Sequence, residues 1–180
     1  MIGKGKSISH GTAALEYDLA KEIDGQTAAI EIARHELYGC TGAEMVQEMK
    51  PYHADFPNVK NNCLRFEVSP SIEESATFTD ADWAELGNDF MQRMGLANHQ
   101  YIIIRHSGTE SKKEQAHLHI LANRVSLSGE LYRDNWIGKK ATEAANAIAK
   151  ERNFVQSKDI GKANKAEIKE AMDDVLKKMQ

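Results

Sequence analysis

Apolar and polar positions follow two rhythms along this 180-residue chain. From Cys63 to Ser69 they alternate: Leu64, Phe66 and Val68 point one way, Arg65 and Glu67 the other, as in a strand with one covered face and one that accepts charge. Tyr101–His106 and Ala116–Val125 are apolar runs that read as a strand pair around a polar loop, 107–115. Ile30 and Ile32 alternate with Glu31 and Ala33 within 28–38, and 2–8 reads as an edge strand. Helical spacing takes over elsewhere. Thr12 is placed to cap a helix through Lys21. Thr41 and Glu44 have capping-box spacing at the head of a helix that stops before Pro51. Thr79 opens a helix with the stripe Trp83, Leu86, Phe90 and Met94, and Gly95 ends it. Further helices are predicted from Asp134 to about Arg152 and over 163–179, the last highly charged and set off by Gly161-Lys162. This order predicts an α+β domain: an antiparallel or mixed sheet of about five strands, with helices on one face and the other face open.

Size and composition add boundaries. With 41% hydrophobic residues the chain can bury one domain core. We divide it into a domain over 1–152 and a C-terminal helical extension over 153–180. No apolar run approaches the roughly 20 residues a membrane span needs, and Met1–Lys6 lacks the apolar stretch of a secretory signal. The expected location is therefore the cytoplasm. Cys40 and Cys63 form no CxxC motif, which excludes a zinc ribbon and points to reduced, partly buried thiols. The net charge of −4 does not advertise nucleic-acid binding. Its distribution does more: residues 61–100 carry two basic and seven acidic side chains, residues 101–152 nine basic and six acidic. The second region suits an anionic ligand.

That region also holds the chemistry. His117 and His119 are two apart on a strand and so share a face. His106 ends the preceding strand; if the two strands form a hairpin, it lies beside His117. Three neutral imidazoles leave coordination positions open, the pattern of a catalytic metal site rather than a closed structural one. His10, His35, His53 and His99 have no such spacing and are expected at the surface. A metal of this kind either activates water or polarises a phosphoryl oxygen. The HExxH motif that places a carboxylate base for the first use is absent, and Glu110 and Glu114 sit in the loop. The second use needs a separate nucleophile, for which Tyr17, Tyr38, Tyr52, Tyr101 and Tyr132 are the candidates.

Arg105-His106, His117-Leu118-His119-Ile120, Asn123-Arg124-Val125 and Gly129 together resemble the RH…HxHI…NRV…G signature of mobilisation relaxases, the MobA/VirD2-like group of HUH-type single-strand DNA endonucleases. Thr79–Trp83 and Met91–Gly95 are similar to that group's preceding helix, and Ala13–Tyr17 is similar to the segment that carries its nucleophile. The resemblance covers about 1–152 and is strongest over 79–129. It implies an antiparallel RRM-like or ferredoxin-like sheet, His106, His117 and His119 as ligands of a divalent metal, and Tyr17 as the residue that attacks the scissile phosphate at an origin of transfer. It also implies a 5′-phosphotyrosyl product, a free 3′-hydroxyl and religation by the reverse step. Hairpin and single-stranded DNA would be the partners, with auxiliary mobilisation proteins. Asn123 and Arg124 would support the site or contact the DNA backbone. Cellular abundance favours Mg²⁺ or Mn²⁺. One departure stands out. The group often has an H-x-D-x-x-H link, whereas here ten residues separate His106 from His117 and Gly108 stands where the aspartate is expected. Glu110, Glu114 and Glu67 are the candidates to replace it. Relaxases are generally longer than this chain, which is therefore expected to be a nuclease domain. Two other readings stay open: a phosphodiesterase that uses metal-bound water, and a DNA-binding module that has kept the scaffold without the chemistry.

Overall fold

A computed structural model describes residues 1–108 and 115–157, together with isolated positions between 159 and 172. The strands β1 (Ile2–Ile8), β4 (Ala29–His35), β5 (Cys63–Ser69), β6 (His99–His106) and β7 (His117–Ser126) form one sheet in the spatial order β1-β5-β7-β6-β4, antiparallel at every pairing. β2 (Glu22–Ile23) and β3 (Gln26–Thr27) make a separate ribbon whose turn, Asp24-Gly25, has both residues at positive φ, as a tight hairpin requires. The helices are α1 (Gly11–Leu19), α2 (Gly42–Met49) with a 3₁₀ turn over Lys50–His53, α3 (Ile72–Ser75), α4 (Asp80–Arg93) and α5 (Ile137–Glu151).

Helix starts follow local chemistry in most places. Thr41 with Glu44, Ser71 with Glu74, and Thr79 with Asp82 each close a capping box. α1 differs from expectation. It begins at Gly11, ahead of Thr12, and has no side-chain cap. Packing sets this start: a Cβ at Gly11 would lie 2.5 Å from Cys63 Sγ, so the helix enters against the end of β5. α2 ends at Met49, before Pro51 as expected, and a 3₁₀ turn over Lys50–His53 follows, with Pro51 in its first turn where proline is tolerated.

Strand alternation sorts the side chains into two layers. Leu64, Phe66, Val68, Ile103, Leu118 and Ile120 face α4 and α5 and are buried with Trp83, Leu86, Phe90, Ala145 and Ile148. α5 lies almost on the backbone of β1, where a Cβ at Gly3 would be 2.5 Å from the Ala141 carbonyl oxygen. The opposite face is open in part only. Ile8, Ile102, Ile104 and Leu121 give it an apolar end, which Leu15 of α1 and Met45 and Met49 of α2 cover. The same strands carry histidines and charged residues toward the other end, and that stretch remains accessible. The expected helix over 163–179 falls largely outside the described residues.

Candidate active site

β6 and β7 pair antiparallel in a register that sets His106 directly across from His117. His119, two residues along β7, shares the face. The ring centroids are 5.4 Å apart for His106 and His117, 4.4 Å for His106 and His119, and 5.0 Å for His117 and His119. One nitrogen from each ring falls within 4.8 Å of the others, a group that can hold a metal ion.

Hydrogen bonds fix which nitrogens are free. His117 Nδ1–H donates to the Gln115 carbonyl at 3.0 Å, leaving the Nε2 lone pair toward the cluster. His106 Nε2–H donates to the Asp18 carbonyl at 2.8 Å, leaving Nδ1. Burial pushes His106 down to about 4, against the Asp18 carbonyl, which favours the charged form. Burial, reinforced by the neighbouring imidazoles, takes His119 down to about 2. Both rings are therefore neutral at neutral pH. Neutral nitrogen donors, two of them with tautomers fixed by backbone carbonyls, suit a borderline divalent metal, so the donor set fits the group that the sequence implies.

Asp18 is the residue that sequence reasoning missed. It is 1% exposed. Its carboxylate accepts from Arg65 Nε at 3.1 Å and Nη2 at 2.5 Å, and Oδ1 lies 3.6 Å from His119 Nδ1. Arg65 Nη2 is itself 3.2 Å from the same His119 nitrogen. Burial raises the Asp18 carboxyl above its usual range, while the Arg65 guanidinium works against that shift. Asp18 thus touches His106 through its backbone and His119 through its side chain. The signal was present but indirect: an acid beside Tyr17 on a mostly apolar helix, and an arginine on the histidine face of β5.

Tyr17, on α1, is 59% exposed, and its hydroxyl accepts from Lys21 Nζ at 3.5 Å. It lines a cavity of about 420 Å³ together with Lys4, Lys21, Glu67, His106, His117 and His119. Glu67 faces His119 across the β5–β7 pair and bonds Lys4 Nζ at 2.9 Å, so its ion pair is with Lys4 and not with Arg65. Glu110 and Glu114 lie outside the described residues.

Asn123 and Arg124 sit away from this cavity. Asn123 is fully buried. Its amide accepts from His53 at 2.8 Å and from the Val125 N–H at 3.0 Å, and it donates to Gln100 and to the Met49 carbonyl. It ties the end of α2 to the sheet and has no surface for DNA. Arg124 bonds the Tyr132 and Asn61 carbonyls and the Asp134 carboxylate, clamping two loops. The expectation of surface histidines also needs correction. His99 is buried with Nδ1 on the Asn123 carbonyl, and His35 stacks on Tyr101 at 5.2 Å. Both lie where strand alternation turns them inward. Cys63 is buried and pushed up to about 11 by burial, whereas Cys40 is exposed; both are free thiols.

A five-stranded antiparallel sheet with helices on both faces carries, at its accessible end, three clustered imidazoles that could hold a metal ion, beside a cavity lined by Lys4 and Lys21. The family model for the relaxase MobA/VirD2-like nuclease domain matches residues 17–154, and the chain belongs to that family. Its members nick DNA, and this chain carries their nuclease domain. No curated protein and no solved structure matches the chain. Among the described residues no helix is long and apolar enough to cross a membrane.

Proposed function

We propose that the protein is a relaxase that nicks one strand at an origin of transfer on a plasmid or other mobile element, with Tyr17 as its nucleophile. The observation that carries this reading is the shared cavity: Tyr17 lines it together with the three histidines and two lysines. Oη of Tyr17 attacks the scissile phosphorus and loses its proton. The phosphorus–O3′ bond breaks and the departing 3′-oxygen takes up a proton, giving a 5′-phosphotyrosyl strand and a free 3′-hydroxyl. The reverse step religates the strand. Lys21 Nζ lies 3.5 Å from the hydroxyl and Lys4 lines the same cavity, so both ammonium groups are placed to meet the oxygens of a bound phosphate. His106, His117 and His119 would hold a divalent metal, Mg²⁺ or Mn²⁺ in the cytoplasm, which would supply the charge that polarises the phosphate.

Asp18 takes the part of the missing carboxylate. In this structure His119 Nδ1 accepts from Arg65 Nη2 at 3.2 Å; with a metal on Nε2 the ring would carry its proton on Nδ1, and Asp18 Oδ1, 3.6 Å away, is the carboxylate placed to take it up after a small shift. The DNA partner is a hairpin with adjacent single strand, and auxiliary mobilisation proteins assist.

The test uses supercoiled plasmid bearing the element's own origin, a divalent metal and a denaturing gel. Wild type yields a covalent protein–DNA adduct. Tyr17→Phe yields none while its metal affinity is unchanged. An adduct that persists in Tyr17→Phe removes the nucleophile assignment. Turnover of a model phosphodiester that is indifferent to that change would instead favour metal-bound water, with Glu67 as the base lining the cavity.

A further inference from the structure

Trp136 is 80% exposed, on a chain whose other tryptophan, Trp83, is 2% exposed. It is also held in that position. Its backbone is left-handed, φ +59° and ψ 27°, a conformation uncommon for a bulky residue. The turn that presents it is clamped on both sides: Arg124 holds the Asp134 carboxylate at 2.7 Å, and Lys140 Nζ donates to the Arg133 carbonyl at 2.8 Å. The ring, with Lys139, Lys140 and Glu143, lines a recess of about 280 Å³. Arg133 is exposed close by. Glu143 shares Lys139 at 3.8 Å, an exposed pair that holds the lysine only weakly.

The position of this recess gives it a use. A Cβ at Gly138 would lie 3.5 Å from the Gly5 carbonyl oxygen, so the start of α5 abuts β1. β1 is an edge strand. Gly5 is flanked by Lys4 and Lys6, which line a second cavity with Arg65 and His119. Cationic side chains therefore run from the histidine cluster, over the free edge of β1, to Trp136. An exposed aromatic ring on a clamped turn among lysines matches a π-faced, anionic ligand, and an unpaired base with its phosphates has both properties.

We infer that Trp136 is a stacking platform for one unpaired base of the DNA strand that leaves the active cavity across β1, with Arg133, Lys139 and Lys140 facing its phosphates. This rests on the nuclease reading for the identity of the strand. Intrinsic fluorescence tests it, because Trp136 is the solvent-exposed emitter and Trp83 is buried against Phe78 at 5.1 Å. Wild-type protein in EDTA, where it cannot cleave, is titrated with a short oligothymidylate at low salt. The expected result is quenching of the red-shifted emission with the Trp83 emission unchanged. Trp136→Ala should lose the quenching and bind about tenfold more weakly, and Trp136→Phe should retain most of the affinity.

Equal affinity in wild type and Trp136→Ala would overturn the platform. So would equal binding of a blunt duplex of the same length. Conversion of an oligomer to a monomer by Trp136→Ala in sedimentation would also overturn it, in favour of contact between copies of this chain. Nicking is scored separately with metal and origin plasmid. If nicking is intact and Trp136 silent, the platform falls alone. If oligothymidylate quenches Trp136 and nothing is nicked, the nuclease reading falls and the platform stands.

Discussion

Replacing Asp18 by Asn separates a positioning carboxylate from a mere buried counter-ion. The side chain keeps its shape and loses its charge. Arg65, whose side chain is 20% exposed, then loses the partner that met it at 2.5 and 3.1 Å. Stranding one member of a buried pair costs about 3–5 kcal/mol. The partial access of Arg65 to water puts the expected loss of stability near the lower end, about 2–3 kcal/mol. A metal-bound His119 would meanwhile lose the carboxylate 3.6 Å away that is placed to take its Nδ1 proton, and loss of such a partner lowers metal affinity about 10- to 100-fold. Calorimetric titration with Mn²⁺ measures this at a temperature where thermal melts show every variant to be folded. Arg65→Lys is the control. It loosens the pair and removes the 3.2 Å contact with His119 Nδ1, yet leaves the carboxylate in place. It should lose stability and keep metal affinity to within about threefold. Wild-type affinity in Asp18→Asn would refute the positioning role. Equal losses in both variants would show that the ion pair as a whole, and not the carboxylate–imidazole contact, maintains the site.

Asn123→Ala should cost about 2–4 kcal/mol, because it strands the half-buried His53 and the buried Gln100, and should lower the melting temperature without changing DNA affinity per folded molecule. Gly3→Ala drives a Cβ against the Ala141 backbone, which cannot swing aside, and should cost about 1–3 kcal/mol in a denaturant melt. Acid should destabilise the metal-free protein. His106 and His119 hold folded-state pKa values below their ordinary 6.5, so the unfolded chain binds more protons once the pH drops below that value. Stability is full above pH 6.5 and declines by about 1 kcal/mol per histidine per pH unit below it, allowing for solvent screening. Melts between pH 7.5 and about 5 should fall with His106 and His119 present and flatten when both are replaced by Gln.

Local signals made most of the framework legible. Strict alternation over 63–69 sorted Leu64, Phe66 and Val68 from Arg65 and Glu67, and the structure keeps that division. The three histidines were readable because strand period and hairpin register are short-range rules, and His106 pairs with His117 as those rules require. The Asp24-Gly25 ribbon and the Ser71–Glu74 capping box carried equally local signals that went unread. What sequence did not reveal depends on distant contact. Apolar side chains on the second sheet face called for α1 and α2 as cover, which makes that face only partly open. Asp18 gains its place from Arg65 and His119, and Asn123 is buried by the docking of α2; no spacing rule encodes either.

Tyr17 and Asp18 are consecutive on α1, one turned to the cavity and the other into the protein. The three histidines come from a single hairpin, whereas the Asp18–His106 bond spans 88 positions. The two halves of the site therefore differ in the range of the contacts that build them. The hairpin can close from local contacts, while α1 must be brought from the other end of the domain at a higher entropic cost. Docking of α1 brings Tyr17 and Asp18 to the imidazoles together, so a chain with only the hairpin formed would lack both. On the tyrosine reading proposed above, a chain with only its hairpin closed would be unable to cut a strand.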